Sequence, residues 1–492
     1  MRRVYVRELR PYSLKELSDA VFAASESYSE SLLEDLMTHG IVRYRAGNTD
    51  SGEYSGDDEP ARPDQVYQFR FVGLVMFRGY VIVSYPKYFR DREPSNDELK
   101  LIMRVLKKNN GFADISSLED GAERLDDTLP VMLALLEMYD EHGEYSNYIE
   151  GREQNGNGPI DWNRTIDRHL PVLVEGRPVY LEMETRKTLR DESDFITRLH
   201  RAALSEISLR LHEAGVDELL SIDEVYLSDE EVEEFGGLDA LEWRLNRERS
   251  SQFVDWKLMT LDLLERYLLG KESFARHNEI HALGTTSFYH VWELACATSF
   301  GNMLDNRLDG LGIELRGKWI ERKQDKLIEI IPRPKWERAT REGYAPCGDV
   351  ATLIPDTVSI AVDDRGRKVF CIYDAKYYVP TTSGAMKYQP GLESVTKQFL
   401  YQSAYKDFVL DHGFDYVTNA FLVPGNVDKP KLMARVSFPG VIAREEMPFS
   451  NYVTMWMLPA NEVYEAHLQN KPLNVGPLFD DEGAILREKA RS

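Results

Sequence analysis

Two β-rich runs, residues 354–362 and 368–378, flank a charged turn that contains Gly366. Such runs on either side of a short glycine-bearing turn predict a β-hairpin. The first run has a carboxylate near its start, Asp356, and the second closes on Asp374, Ala375 and Lys376. Side chains two apart on a strand share a face, so Asp374 and Lys376 point the same way, and the hairpin brings Asp356 beside them. Apolar residues surround this polar trio, whose burial is costly without a partner ion. Two carboxylates sharing a small space repel each other. A divalent cation such as Mg²⁺, or Mn²⁺, relieves that repulsion and favours oxygen ligands with open water positions. The lysine can then orient a water and balance charge on a phosphate, which is the chemistry of metal-dependent phosphodiester hydrolysis. The competing interpretation is an ordinary hairpin with a surface salt bridge between Asp374 and Lys376.

Pro355-Asp356 and Asp374-Ala375-Lys376 resemble the PD-(D/E)xK nuclease signature. Flanking stretches weigh toward chemistry. Residues 285–301 predict an apolar helix with Phe288, Trp292, Ala295 and Cys296 in one stripe and Gly301 just past its end. Glu293 inside that helix either ligates something or faces solvent. His290 is read as structural. Residues 331–337 read as a stiff segment in which Arg333 and Lys335 could touch a DNA backbone, although solvated charges are the stronger reading. After the hairpin, residues 393–408 read as a helix with Gln398, Tyr401, Gln402 and Tyr405 on overlapping faces, offering amides and hydroxyls to a scissile phosphate and a neutral partner to Lys376. Residues 417–423 and 453–458 continue a central sheet, and 463–468 form a short helix.

With 492 residues the chain is too long for one core. The expected class is α/β (α+β multidomain). The expected division is a β-containing amino-terminal domain over 1–110, a mainly helical region over 111–270, the hairpin domain over 271–475 and a loose tail over 476–492. No uncharged apolar run reaches membrane-spanning length, and the start lacks an apolar signal region, so no membrane association is expected. Three widely spaced cysteines, Cys296, Cys347 and Cys371, suit a reducing cytoplasm without structural zinc. The net charge of −23 disfavours DNA affinity through the whole surface. A local basic groove, or a partner supplying affinity, is compatible with it.

In chain order, Ser13 is a plausible N-cap for a helix over 14–40, and 47–64 reads as a polar loop. Residues 66–89 predict two strands meeting at Arg78-Gly79, and Ser95 precedes a helix over 97–109. A buried helix follows over 128–142. The stretch 155–166, Asn-Gly-Asn-Gly-Pro-Ile-Asp-Trp-Asn-Arg-Thr-Ile, reads as a glycine-rich loop capping a helix. With no GxxxxGK[ST], no nucleotide site is expected in it. Helices are predicted over 194–215 and 256–270. Between them, residues 223–242 carry nine acidic residues and no Lys or Arg, the mark of an exposed face or linker.

The order Trp292-Glu293, Pro355-Asp356, Asp374-Ala375-Lys376 and Lys397-Gln398-x-x-Tyr401-Gln402 resembles the LlaJI/McrC-type restriction endonuclease family. So do Phe71-Val72-Gly73, Tyr85-Pro86-Lys87-Tyr88-Phe89 and Gly158 to Ile166, while residues 1–64 match nothing in it. The resemblance implies a nuclease subunit of a restriction system, acting on double-stranded DNA with an McrB-like AAA+ GTPase or ATPase hexamer. It implies that the amino-terminal region docks on that motor and that the 158–166 motif is structural or motor-facing. Asp356 and Asp374 would hold Mg²⁺, with the Ala375 carbonyl and Glu293 as further ligands. Lys376 would serve the attacking water, Gln398 would support it, and Tyr401, Gln402, Arg333 and Lys335 could contact phosphates. An adaptor with a vestigial nuclease fold and a stand-alone nuclease are the alternatives. The intact trio counts against the first and the net charge against the second.

Overall fold

Thr357–Val362 and Lys368–Ala375 pair antiparallel, from Thr357 opposite Tyr373 to Val362 opposite Lys368. Asp363 closes the turn, its carboxylate accepting from the backbone N–H of Arg365 at 3.0 Å and of Arg367 at 2.9 Å. Gly366 takes the left-handed conformation the turn needs, at φ +75°. This computed structural model describes residues 1–44, 64, 66–110, 128–275, 280–341, 343–349, 351–381, 386–442, 445–473 and 476–478. The predicted loop over 47–64 falls outside them except for Asp64, and so does nearly all of the predicted tail.

The chain packs as two compact units. One holds residues 126–282 with short pieces from 1–2 and 77–79. The other holds residues 3–76, 80–125 and 283–492.

In the second unit the hairpin edges a mixed five-stranded sheet. Its order is Thr357–Val362, Lys368–Ala375, Tyr416–Gly425, Val453–Pro459, Lys431–Val436. The pairs around Tyr416–Gly425 are parallel, so helices must cross between them. Leu392–Ala404 is such a crossover. Val395 and Phe399 pack on Phe421 and Val423, while Tyr401 and Tyr405 join Val358, Phe370 and Ile372. The Phe288–Ser299 helix packs on Ala460–Gln469, with Trp292 edge-on to Tyr464. Lys431–Val436 and the exposed ribbon Lys335–Thr340 with Gly343–Asp349 escaped sequence reading. The segment read as merely stiff over 331–337 therefore enters a strand.

Apart from residues 1–2 and 77–79, the amino-terminal strands belong to the same unit. Val72–Phe77 and Tyr80–Tyr85 meet at Arg78 and Gly79, both at positive φ. They lie in a four-stranded sheet ordered Arg2–Arg7, Tyr80–Tyr85, Val72–Phe77, His281–Thr285. Gly73 explains its motif: a Cβ there would lie 2.2 Å from the carbonyl oxygen of Leu283, so only glycine lets these strands approach. The helix expected over 14–40 is broken. Ser13 caps Leu14–Glu16, a π-turn runs over Leu17–Phe22, and Ala23 turns left-handed at φ 46°. Ser25 then caps a second helix, Glu26–Thr38.

The first unit is mainly helical. Thr128–His142, Phe195–Ala214, Leu238–Ser251 and Asp255–Ala275 carry its core. Asp194 caps Phe195–Ala214, and Gly215 ends it at φ 65°. Residues 222–231, part of the acidic stretch, lie along this helix, held by bonds from Val225 and Leu227 N–H to Ser208 and Ser205. In the glycine-rich stretch, Asp161 caps Trp162–Arg168, and Thr165 exchanges hydrogen bonds with the backbone of Glu184.

Candidate active site

Asp356 enters at the mouth of the hairpin, where the strand pairing begins. Its Oδ2 accepts from the backbone N–H of Ala375 at 2.8 Å, which ties the first carboxylate to the strand bearing the second. Asp374, 6% exposed, and Lys376 face the same side, with Nζ 2.7 Å from Oδ2. The trio thus converges, with Ala375 contributing backbone between the two carboxylates.

The electrostatics follow from burial. Burial first, then the charge of Asp374 and a carboxyl–carboxyl hydrogen bond, push Asp356 up to about 8, against the pull of Lys376. Burial opposes the charge on Lys376, but Asp374 and Asp356 outweigh it and hold that pKa above its ordinary value. Carboxylates crowded together in this way mark a place where a cation would be welcome.

One carbonyl aligns the surroundings. The oxygen of Leu422 accepts from the Lys376 backbone N–H at 2.8 Å and from the Trp292 indole N–H at 3.0 Å. The Glu293 helix and the lysine strand are thereby fixed to one point. Asn302 works at the other end: its Oδ1 accepts from Val358 N–H at 3.1 Å, and its Nδ2 donates to the Asp356 carbonyl at 3.4 Å. Asn302 was missed in the sequence, since a lone polar residue past a helix end carries no signal of a partner 54 residues away.

Glu293 settles between its two readings. It is half-buried and accepts from His290 Nδ1 at 3.0 Å, and its charge still helps raise Asp356. Among the described residues no three His, Cys, Asp or Glu side chains cluster as a metal group. Any ion here would rest on Asp356, Asp374 and backbone, with Glu293 standing off. His290, read as structural, is instead exposed beside Glu293.

The crossover helix divides its candidates. Gln398 is fully buried, and neither its Oε1 nor its Nε2 has a hydrogen-bond partner among the described residues. Lys376 takes Asp374 rather than this amide as its partner. Tyr401 and Gln402 do not await a phosphate. Tyr401 is buried and donates to the Ile354 carbonyl at 3.0 Å, steadying the approach to Asp356. Gln402 is buried with both amide ends on the Ser450 backbone, at 3.0 and 3.1 Å. Both are corrections with one cause: helical spacing gives the face but not the loop that fills it. Arg333 and Lys335 are exposed, the latter opposite Asp349 on the ribbon.

Residues 71–439 match the sequence profile described as LlaJI restriction endonuclease. The chain is 26% identical over 439 residues to the Type II restriction enzyme BsuMI component YdjA of Bacillus subtilis (strain 168), covering 86% of this chain and 85% of that protein. It is also similar to a chain in the refined half-complex from a tetradecameric assembly of Thermococcus gammatolerans McrB AAA+ hexamers with bound McrC. There the identity is 13%, the coverage 95% of this chain and 99% of that one, and the TM-score 0.36. A chain of the cryo-EM structure of the Thermococcus gammatolerans McrBC complex matches at 13% identity, covering 56% and 87%, with a TM-score of 0.20.

Proposed function

Since this chain belongs to the LlaJI restriction endonuclease family, we propose that it is the DNA-cleaving subunit of a restriction system. In this reading it hydrolyses phosphodiester bonds of double-stranded DNA at Asp356, Asp374 and Lys376, on a PD-(D/E)xK-type core. The observation that carries the reading is the pairing of Asp356 with Asp374 beside an ion-paired lysine at the end of an antiparallel hairpin. The parallel crossover to Tyr416–Gly425 supports the nuclease-type core.

The donor set fits a hard divalent ion. Two crowded carboxylates repel, and burial together with the charge of Asp374 raises the pKa of Asp356, a penalty that a bound cation would relieve. Asp356 and Asp374 would hold Mg²⁺, aided by the Ala375 carbonyl and by the more distant charge of Glu293. Such an ion would supply a more acidic water and charge neutralisation at the phosphate. Lys376, held by the Leu422 carbonyl through its own backbone, would present its ammonium to the water and the developing phosphate charge. Gln398 would offer its otherwise unpartnered amide to the same water or phosphate. Trp292 and Asn302 keep the strand ends in register.

We assign nucleotide hydrolysis to an AAA+ partner, because this sequence contains no GxxxxGK[ST]. A surface suited to a partner lies in the helical unit, where Trp162, Ile166, Leu170, Leu173 and Leu181 are all more than half exposed. The test is co-purification with the AAA+ protein of the neighbouring reading frame, followed by plasmid cleavage with Mg²⁺ and with chelator. Metal-independent cleavage, or none by the assembled complex on modified and unmodified plasmid alike, would remove the reading.

A further inference from the structure

The ribbon of Lys335–Thr340 and Gly343–Asp349 leaves the core just ahead of the hairpin strand Thr357–Val362. Every residue of Lys335–Thr340 is exposed, so the ribbon packs no face of that strand on the core and stands on its own backbone ladder. We propose that it is a DNA-binding arm of the cleavage site, lying in the major groove of the duplex with Trp336 and Arg338 toward the DNA. This inference rests on the nuclease reading of Asp356, Asp374 and Lys376.

Three observations carry it. The first is the division of charge between the two faces. Alternation puts Trp336, Arg338 and Thr340 on one face, with Ala345 and Gly343 opposite the last two. No carboxylate among the described residues belongs to that face of the ribbon. Lys335, Glu337 and Ala339 share the other face, with Asp349, Pro346 and Tyr344 opposite them. The acidic positions of the paired strands, Glu337 and Asp349, thus lie on the face away from Trp336 and Arg338. Arg333 before the ribbon and Arg341 at its turn add charge at the two ends. Arg333, Lys335, Arg338 and Arg341 make no ion pair among the described residues. Over residues 333–349 these four cations stand against Glu337, Glu342 and Asp349, a small positive excess in a chain of −23. Such a reversal of sign, gathered on one face, suits a polyanion.

The second observation is Trp336, whose side chain is 63% exposed. A large ring left in water marks a surface that a partner covers. A ring and a guanidinium side by side suit a groove, where the ring meets thymine methyls and the guanidinium meets a guanine edge or a phosphate. The third is where the ribbon is rooted. Thr352 Oγ1 donates to the Pro332 carbonyl at 2.9 Å and closes the base. Ile331 and Leu353, one on each side of that base, pack in the same core as Val358 and Tyr401. Tyr401 in turn holds the Ile354 carbonyl, two residues before Asp356. A duplex gripped by the ribbon is thereby held at a set distance from the carboxylates. Six residues at about 3.3 Å each extend about 20 Å, and two strands about 4.8 Å apart with their side chains fit a groove about 12 Å wide but not one about 6 Å wide.

The test is DNA binding by the full chain carrying Asp374→Asn, so that the duplex stays intact. Fluorescence anisotropy with a short duplex is followed across salt concentration, with and without the AAA+ partner. Arg338→Gln should weaken binding about tenfold and make the log–log salt slope shallower by about one, and Arg338→Lys should restore the slope. Trp336→Ala should also weaken binding about tenfold but leave the slope unchanged, since the ring neutralises no phosphate. Methyl green, which occupies the major groove, should displace the chain, and netropsin, which occupies the minor groove, should not. Both positions are exposed, so the variants should fold, as circular dichroism checks. If Trp336→Ala does not, Arg338→Gln with its lysine rescue carries the test alone. Unchanged affinity in the folded variants, displacement by netropsin alone, or no duplex binding with or without the partner would each overturn the proposal. Loss of AAA+ capture with duplex binding intact would overturn it too, since the ribbon would then be a protein-docking surface. A chain that binds duplex through Trp336 and Arg338 yet never cuts defeats only the nuclease reading. One that cuts while the variants bind normally defeats only this inference.

Discussion

The Tyr377 hydroxyl donates to the Glu8 carboxylate at 2.5 Å, joining residues 369 positions apart. One residue after Lys376, the chain is thus bonded to the amino-terminal layer, and both partners are buried. Hydrogen bonds to charged groups are worth about 1.5–3 kcal/mol, and leaving Glu8 short of a donor adds to the loss. Tyr377→Phe should therefore lower the stability of this unit by about 2 kcal/mol, measurable by urea unfolding. It should also slow cleavage, because Lys87 and Lys376 lose their common anchor. A variant as stable as its parent would show that the amino-terminal strands hold by apolar packing alone.

Asp374→Asn and Lys376→Ala test the trio directly. Asn keeps the shape but removes the charge that pairs with Lys376 at 2.7 Å and repels Asp356. Ala leaves two crowded carboxylates without their cation. Each should reduce Mg²⁺-dependent cleavage by about 10²–10³-fold or more, the scale for removing one transition-state charge partner. Capture of the AAA+ partner should stay at the parental level. Parental cleavage by either variant, measured on plasmid with the partner present, would end the assignment.

The hairpin was legible because its information is local. Alternation, a glycine turn and the Asp374–Lys376 spacing lie within 25 residues, and the carboxylates fall where strand pairing puts them. Helices with strong caps were legible for the same reason: Asp194 and Gly215 frame Phe195–Ala214. What escaped was decided at long range. Tyr401 and Gln402 share a helix face with Gln398, but the loops at Ile354 and Ser450 claim the first two. Only the tertiary fold distinguishes them. Lys87 shows the same limit. Lys87 stands inside the family-like motif over 85–89, yet nothing in Tyr85-Pro86-Lys87 indicates a partner ring near residue 377. The break at Ala23 could have been read, since Ser25 is a second capping residue within one apolar pattern.

In the proposed reading, Asp356 would make ion binding pH-dependent. Burial, and then Asp374, hold its folded pKa at about 8, far above the ordinary carboxylate value. The folded chain therefore keeps a proton that the unfolded chain has released, and this group's stabilising contribution is present at low pH and is lost as pH rises through about 8. A Mg²⁺ ion bound at this site would have to displace that proton. Its apparent affinity should fall about tenfold per pH unit below pH 8, with one proton released per ion. Calorimetric titration in buffers of differing ionisation heat checks both. Asp356→Asn should abolish the proton release, and a parental affinity flat between pH 6 and 8 would mean that Asp356 is already ionised without the metal.

His200 makes the acid stability of the helical unit predictable. It is 1% exposed, and its Nδ1 accepts from the Tyr145 backbone N–H at 3.0 Å. Nε2 therefore carries the proton, with no hydrogen-bond partner among the described residues. Burial, with a smaller contribution from Arg201, pulls its pKa down to about 3. Unfolded, the same ring takes up a proton near pH 6.5. Stability contributed by the neutral ring is complete above that value and declines as pH falls toward about 3, by at most about 1.4 kcal/mol per pH unit. Thermal unfolding of the helical unit between pH 7 and 4 should follow that decline. His200→Asn keeps an acceptor for Tyr145 but cannot titrate, so it should flatten the profile. An equally steep profile in that variant would assign the acid sensitivity to other groups.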